Sequence, residues 1–131
     1  MPESIFTKII KGEIPSFKIA EDDNFIAFLD VLPLKRAHTL VVPKVQVDYI
    51  YDLPDKMLGD LMIFAKKVAN KIESKIECQR IGVAVIGLEV PHAHVHLIPI
   101  DNVRDMDFSQ PKLSLNTAEM QEIADLINQT V

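Results

Sequence analysis

The residues able to do chemistry are concentrated in one run, Pro91-His92-Ala93-His94-Val95-His96-Leu97-Ile98-Pro99. Three of the four histidines lie there in strict alternation, and the fourth is His38. Successive side chains of a strand point to opposite faces. The spacing therefore predicts His92, His94 and His96 on one face, with Ala93, Val95 and Leu97 entering the core. A polar strand face that happens to hold imidazoles is the plain reading, but such a face has no need of histidine over Thr, Lys or Glu at three successive sites. A metal site is a second reading, since neutral imidazole ligates zinc, copper and iron. Geometry opposes it: about 13 Å of strand would separate His92 from His96, and only His38 could add another imidazole. The third reading is covalent catalysis at phosphorus. An imidazole nitrogen is a competent nucleophile and a good leaving group, so it can carry a group between two displacements. One ring attacks, a neighbour fixes its tautomer, and another holds phosphate oxygens or serves the leaving group.

The elements that must position these rings follow from periodicity and punctuation. Ser4 precedes Ile5, Phe6, Ile9 and Ile10, a pattern for one or two helical turns that Gly12 and Pro15 end. Phe17–Glu21 and Phe25–Asp30 read as strands joined by a turn at Asp22-Asp23-Asn24, and His38–Val42 as a third strand between Pro33 and Pro43. A long helix follows, with Asp52 as its expected cap and Pro54 in its first turn. Its apolar stripe is Leu58, Leu61, Met62, Ala65, Val68, Ala69, Ile72 and Ile76. Two more strands are predicted, at Arg80–Ile86 and about His92–Ile100, with Gly87 between them. Asn116 and Glu119 are spaced as a capping box for a terminal helix reaching Gln129. Few long crossovers are available, so the expected fold class is α+β: an antiparallel meander sheet of about five strands, one long helix and a C-terminal helix.

Composition narrows the function classes. With 131 residues, 48% of them apolar and 25% charged, the chain suits one globular domain and not a disordered segment. A net charge of -5 argues against nucleic acid as partner. Cys78 is the single cysteine, which leaves no disulfide within the chain and no cysteine cluster for zinc. The first fifteen residues hold no apolar stretch of signal-peptide length, and no run approaches a membrane span. A reduced, cytoplasmic protein is the expectation.

His92-Ala93-His94-Val95-His96-Leu97-Ile98 matches the H-φ-H-φ-H-φ-φ signature, where φ is apolar, and here the chain resembles the histidine triad (HIT) family of nucleotide hydrolases and transferases. Ile5-Phe6 followed by Lys8-Ile9-Ile10-Lys11-Gly12-Glu13-Ile14-Pro15 is similar to the family's HINT-like branch. So are Glu21-Asp22-Asp23, Ala27-Phe28-Leu29-Asp30, Pro33, His38, Leu40-Val41-Val42 and Pro43-Lys44. The resemblance implies one HIT domain over residues 1–131, with its core at about 5–100 and a helical C-terminal extension at 101–131. It also implies a symmetric homodimer through the long helix and the strand after it.

The resemblance carries roles as well. His94 matches the nucleophile, which attacks the α-phosphorus of a nucleotide derivative and is relieved by water. His96 matches the residue that contacts phosphate and serves the leaving group, and His92 and His38 complete the cluster. Asp30 matches the carboxylate on the ribose hydroxyls, and Ile5, Phe6, Ile9 and Phe28 resemble the pocket over the base. The implied activity is hydrolysis of a phosphoramidate or phosphoanhydride of a purine nucleotide, an AMP or GMP derivative, with no cofactor or metal and with neither nucleic acid nor membrane as partner. A nucleotide-binding regulatory or scaffold protein with residual activity is the alternative.

One segment departs from the family. Gly87-Leu88-Glu89 stands where the branch has Gly-Gln-Ser or Gly-Gln-Thr, and no Asn occurs on the preceding strand. Those groups donate to phosphate in relatives. Glu89 is thus a candidate nucleotide-site residue of the wrong charge, unless Pro91 turns its loop away from the site.

Overall fold

The computed structural model describes residues 2–129. Helix α1 (Ile5–Ile10) leads into β1 (Lys18–Glu21), β2 (Phe25–Leu29) and β3 (Thr39–Pro43); helix α2 (Asp55–Glu73) separates these from β4 (Arg80–Ala84) and β5 (Val95–Ile100), and α3 (Thr117–Asn128) ends the fold. All neighbouring strands are antiparallel, in the order β1-β2-β3-β5-β4. The chain runs as a hairpin meander through β1–β3. Then α2 carries it across the sheet to the edge, and β5 returns between β4 and β3.

Alternation along β2 divides the core. Phe25, Ala27 and Leu29 join Val41, Val95 and Leu97 under α2 and α3, while Ile26 and Phe28 face the other way with Leu40, Val42 and Phe6. Helix α2 buries Leu61, Phe64, Ala65, Val68 and Ile72 on the first face. At about 1.5–3 kcal/mol per fully buried large apolar side chain, this stripe fixes the helix on the sheet. Phe64 takes a buried place that the expected stripe gave to Met62, and Met62 and Ile63 point outward.

Local signals behave as their chemistry requires. Asp22 Oδ1 accepts from the amides of Asn24 and Phe25 at 2.8 Å and closes the β1–β2 turn. Asn116 and Glu119 form the expected capping box. Asp52 does not cap α2: it lies in a 3-10 turn, Ile50–Asp52, and Pro54 occupies the N-cap without a side-chain bond. Strand β4 stops at Ala84, and β5 begins at Val95 rather than at His92. Pro91 offers no N–H to a ladder, and the amide of Ala93 donates to Val47 O at 2.7 Å, in the loop after β3. His92 and His94 therefore precede the strand that the alternation placed them in.

Candidate active site

The sheet brings the chemistry to one end of its α1-bearing face. Phe28 pairs with Leu40, and Leu40 with His96, so one row crosses three strands toward the site. Asp30 follows β2 immediately, and His38 immediately precedes β3. Ala37, just before His38, has φ 73, a left-handed conformation unusual for a residue with a Cβ. This kink turns the chain sharply ahead of His38, a device that no sequence signal announced.

The hydrogen bonds fix every ring's tautomer. The amide of Leu34 donates to His38 Nδ1 at 3.0 Å, so the proton of neutral His38 is on Nε2, which lies 2.9 Å from His96 Nδ1 and donates to it. His96 must then carry its own proton on Nε2. His94 Nδ1 donates to the carbonyl of His92 at 2.7 Å, which leaves the lone pair on His94 Nε2. His92 donates from Nε2 to Pro43 O and receives Ser4 Oγ–H at Nδ1, each at 2.7 Å. Among the described residues no solvent-shielded side-chain polar atom lacks a partner. The Nε2 atoms of His94 and His96 bond to no protein group, so both are open to the space in front of them. One carries a lone pair and the other a proton, with ring centroids 5.0 Å apart.

Burial keeps His38 and His96 neutral. It pushes His38 down to about 3 and His96 down to about 4, with neighbouring positive charge adding to the effect. Burial also lowers His92. Asp30 is raised, first by burial and against the pull of the Leu32 amide on its carboxylate.

A cavity of about 440 Å³ opens before these groups, and every candidate residue except His92 lines it. Its apolar end is Ile5, Phe6, Ile9 and Phe28. The Phe6 ring stands 5.5 Å from Phe28 and edge-on to His94 at 5.0 Å, so it serves packing and wall at once. Asp30 and Glu89 both border the cavity, and Glu89 is exposed at its rim, not turned away by Pro91. His92 lies behind, held by Ser4, and orients His94 through its carbonyl. Sequence reasoning missed Phe108 and Lys112, which also line the cavity. They come from the segment after β5, where no family motif pointed to them.

Asp30, His38 and His96 also bring three ligand-type atoms within 4.8 Å of one another. A ligating histidine normally donates its other N–H to an acceptor. Here His38 Nδ1 accepts from Leu34, so its Nε2 holds a proton where a metal would need a lone pair. The cluster suits a hydrogen-bond relay better than an ion.

The HIT domain family model matches residues 11–103. The chain belongs to the HIT family. It is 43% identical over 97 residues to the adenosine 5'-monophosphoramidase of Saccharomyces cerevisiae, a match that covers 72% of this chain but only 61% of that protein. The adenosine 5'-monophosphoramidase of Schizosaccharomyces pombe is 32% identical over 130 residues, covering 97% of each. Among solved HIT structures, a Hit-like protein of Bartonella henselae described as involved in cell-cycle regulation superposes with a TM-score of 0.82 at 29% identity, over 95% of this chain and 93% of its own. No helix among the described residues is long and apolar enough to cross a membrane.

Proposed function

We propose that this HIT protein hydrolyses phosphoramidates or phosphoanhydrides at the α-phosphorus of purine nucleotides, through a nucleotidyl-histidine intermediate. The observation that carries the reading is the pair of opposed tautomers: a lone pair on His94 Nε2 beside a proton on His96 Nε2, both open to one cavity. His94 Nε2 attacks phosphorus, and the electron pair of the breaking P–N or P–O bond leaves with the departing group. A phosphate departs as an anion. An amine needs a proton, which the His38–His96 pair takes up as the anionic substrate enters and passes on from His96 Nε2. Water then attacks phosphorus; its proton goes to His96 Nε2 where an amine has taken the proton from that atom, or to the departing phosphate anion where a phosphate has left, and the P–N bond electrons return to His94. Asp30 accepts the ribose hydroxyls, and Ile5, Phe6, Ile9 and Phe28 cover the base. The phosphoramidase activity named for the two yeast relatives supports the reaction class.

We read the protein further as a cytoplasmic homodimer. Tyr49, Tyr51, Met62, Ile63, Val83 and Val85 are exposed on α2, on the segment before it and along and just after the edge strand β4, which suits a two-fold pairing.

Mass spectrometry of the slowed variant His96→Ala, incubated with an adenosine phosphoanhydride whose phosphate departs without a proton from His96, tests the chemistry. An adenylyl group on the peptide carrying His94 is expected. Turnover with no adduct in any variant, or an adduct elsewhere, removes His94 as nucleophile. Tight AMP binding without turnover would favour the regulatory alternative.

A further inference from the structure

The tautomer of His94 rests on a single peptide unit. Its C=O belongs to His92 and accepts from His94 Nδ1 at 2.7 Å, and its N–H belongs to Ala93 and donates to Val47 O at 2.7 Å. The C=O and N–H of one trans peptide point in opposite directions, so the bond at Val47 aims the carbonyl at His94. The His92 ring donates to the carbonyl of Pro43 at 2.7 Å. Pro43 ends β3, and Val47 lies in the loop after it.

Gln46, in that loop, is a half-buried side chain that does not line the cavity. Its Oε1 accepts from the Ser4 amide at 2.8 Å and from the Thr7 hydroxyl at 2.7 Å, and its Nε2 donates to Pro2 O at 2.9 Å. The Ser4 N–H can only donate, which forces this orientation of the amide. Two hydroxyls, those of Ser4 and Thr7, stand 2.7 and 3.4 Å from His92 Nδ1. Because Gln46 takes the hydrogen of Thr7, Ser4 alone donates to that nitrogen.

We propose that Gln46 is a positioning residue for the nucleophile: by tying Pro2, Ser4 and Thr7 to the loop that holds Ala93, it locks the His92–Ala93 peptide and with it the Nδ1–H tautomer of His94. This rests on the nucleotidyl-transfer reading above, in which His94 Nε2 must keep its lone pair, and extends it to a side chain outside the cavity. Without Oε1, the Ser4 N–H and the Thr7 O–H lose their acceptor, and Thr7 competes with Ser4 for His92 Nδ1. The His92 ring then shifts, and the carbonyl of that residue shifts with it. A His94 ring freed from this carbonyl places its proton on either nitrogen, and the form protonated on Nε2 cannot attack. The base wall is spared, since Phe6 stays packed on Phe28 and Ser4 Oγ still caps α1.

The test compares wild type with Gln46→Met, which keeps the length and removes the acceptor, and Gln46→Glu, which restores two acceptor oxygens. Gln46→Ala is carried alongside, so that an acceptor-free protein is in hand should Gln46→Met not fold. Long-range proton–nitrogen spectra of histidine-labelled protein, at about pH 8 where neutral imidazole prevails, report which nitrogen of each ring carries hydrogen. Wild type should show His94 protonated on Nδ1 and His92 on Nε2. In the acceptor-free variant the His94 pattern should move toward a mixture of both tautomers. Its kcat for an adenosine phosphoanhydride should fall about tenfold while the Kd of AMP stays within about twofold. Gln46→Glu should recover the single tautomer and most of the kcat. An unmoved His94 pattern in the acceptor-free variant, a loss confined to KM and AMP affinity, or no recovery in Gln46→Glu would each overturn the assignment and leave the hydrolase reading intact. A wild type that turns over no nucleotide overturns the hydrolase reading instead, and the His94 tautomers of the variants then still decide for or against the lock.

Discussion

His38 donates its Nε2 hydrogen to His96 Nδ1 across 2.9 Å, joining residues 58 apart in sequence. The Leu34 amide starts this relay and the open Nε2 of His96 ends it, so one backbone N–H decides which edge of the reacting ring carries a proton. The relay exists only while both rings stay neutral, and that links the site to stability.

Both folded-state values are depressed, His38 to about 3 and His96 to about 4. The unfolded chain therefore binds protons that the native state refuses once pH falls below about 6.5. The stability involved is fully present above that pH and is lost as pH falls toward 4 and 3. Each such imidazole contributes a loss of up to about 1.4 kcal/mol per pH unit. Urea unfolding of wild type and His38→Gln from pH 7 to 4 should thus show the gap between them narrowing by about that slope. A constant gap would mean that His38 is not held neutral.

Ser4 does two jobs with one hydroxyl. It accepts from the Thr7 amide at 3.0 Å as the N-cap of α1, and it donates to His92 Nδ1. Ser4→Ala removes a cap, at about 1 kcal/mol, and leaves a buried ring nitrogen with only the longer contact to Thr7 Oγ1 at 3.4 Å, at about 1–3 kcal/mol. A fall of about 2–3 kcal/mol in unfolding free energy, with an unchanged urea m-value, is expected. Ser4→Thr should recover most of it. A loss under about 0.5 kcal/mol would show that His92 finds its partner elsewhere.

Glu89 borders the cavity with its carboxylate exposed, so its repulsion of a nucleotide is screened by solvent but not removed. Glu89→Ser should tighten AMP binding roughly three- to tenfold at low ionic strength. The gain should shrink in high salt. Weaker binding by the variant would make Glu89 a positive contributor to the nucleotide site.

Light scattering should give about twice 14.8 kDa for wild type. Ile63→Glu places a charge on the exposed apolar face of α2 and should yield monomers at micromolar concentration. A monomeric wild type would show that α2 and β4 do not pair two copies.

Much of this protein was legible in its amino acids because the signals are local. The alternation His92, His94, His96 marked the chemistry. The Ser4 cap, the Asp22 turn and the Asn116–Glu119 box set element ends through contacts between residues two or three apart. Apolar periodicity placed α2, with Phe64 buried in place of Met62. The triad itself shows where locality ends. Alternation predicted three rings on one strand face, but His92 and His94 precede β5, because Ala93 bonds to Val47 and His92 to Pro43, partners more than forty residues away. Which nitrogen of each ring carries the proton depends on a Leu34 amide, a His92 carbonyl and a Ser4 hydroxyl. Only the folded chain brings these together. Phe108 and Lys112 carry no motif, since nothing in an extended chain says which exposed lysine will be returned to a cavity. The tertiary structure decided that, through Leu113 on Pro33 and Asp105 on Lys35.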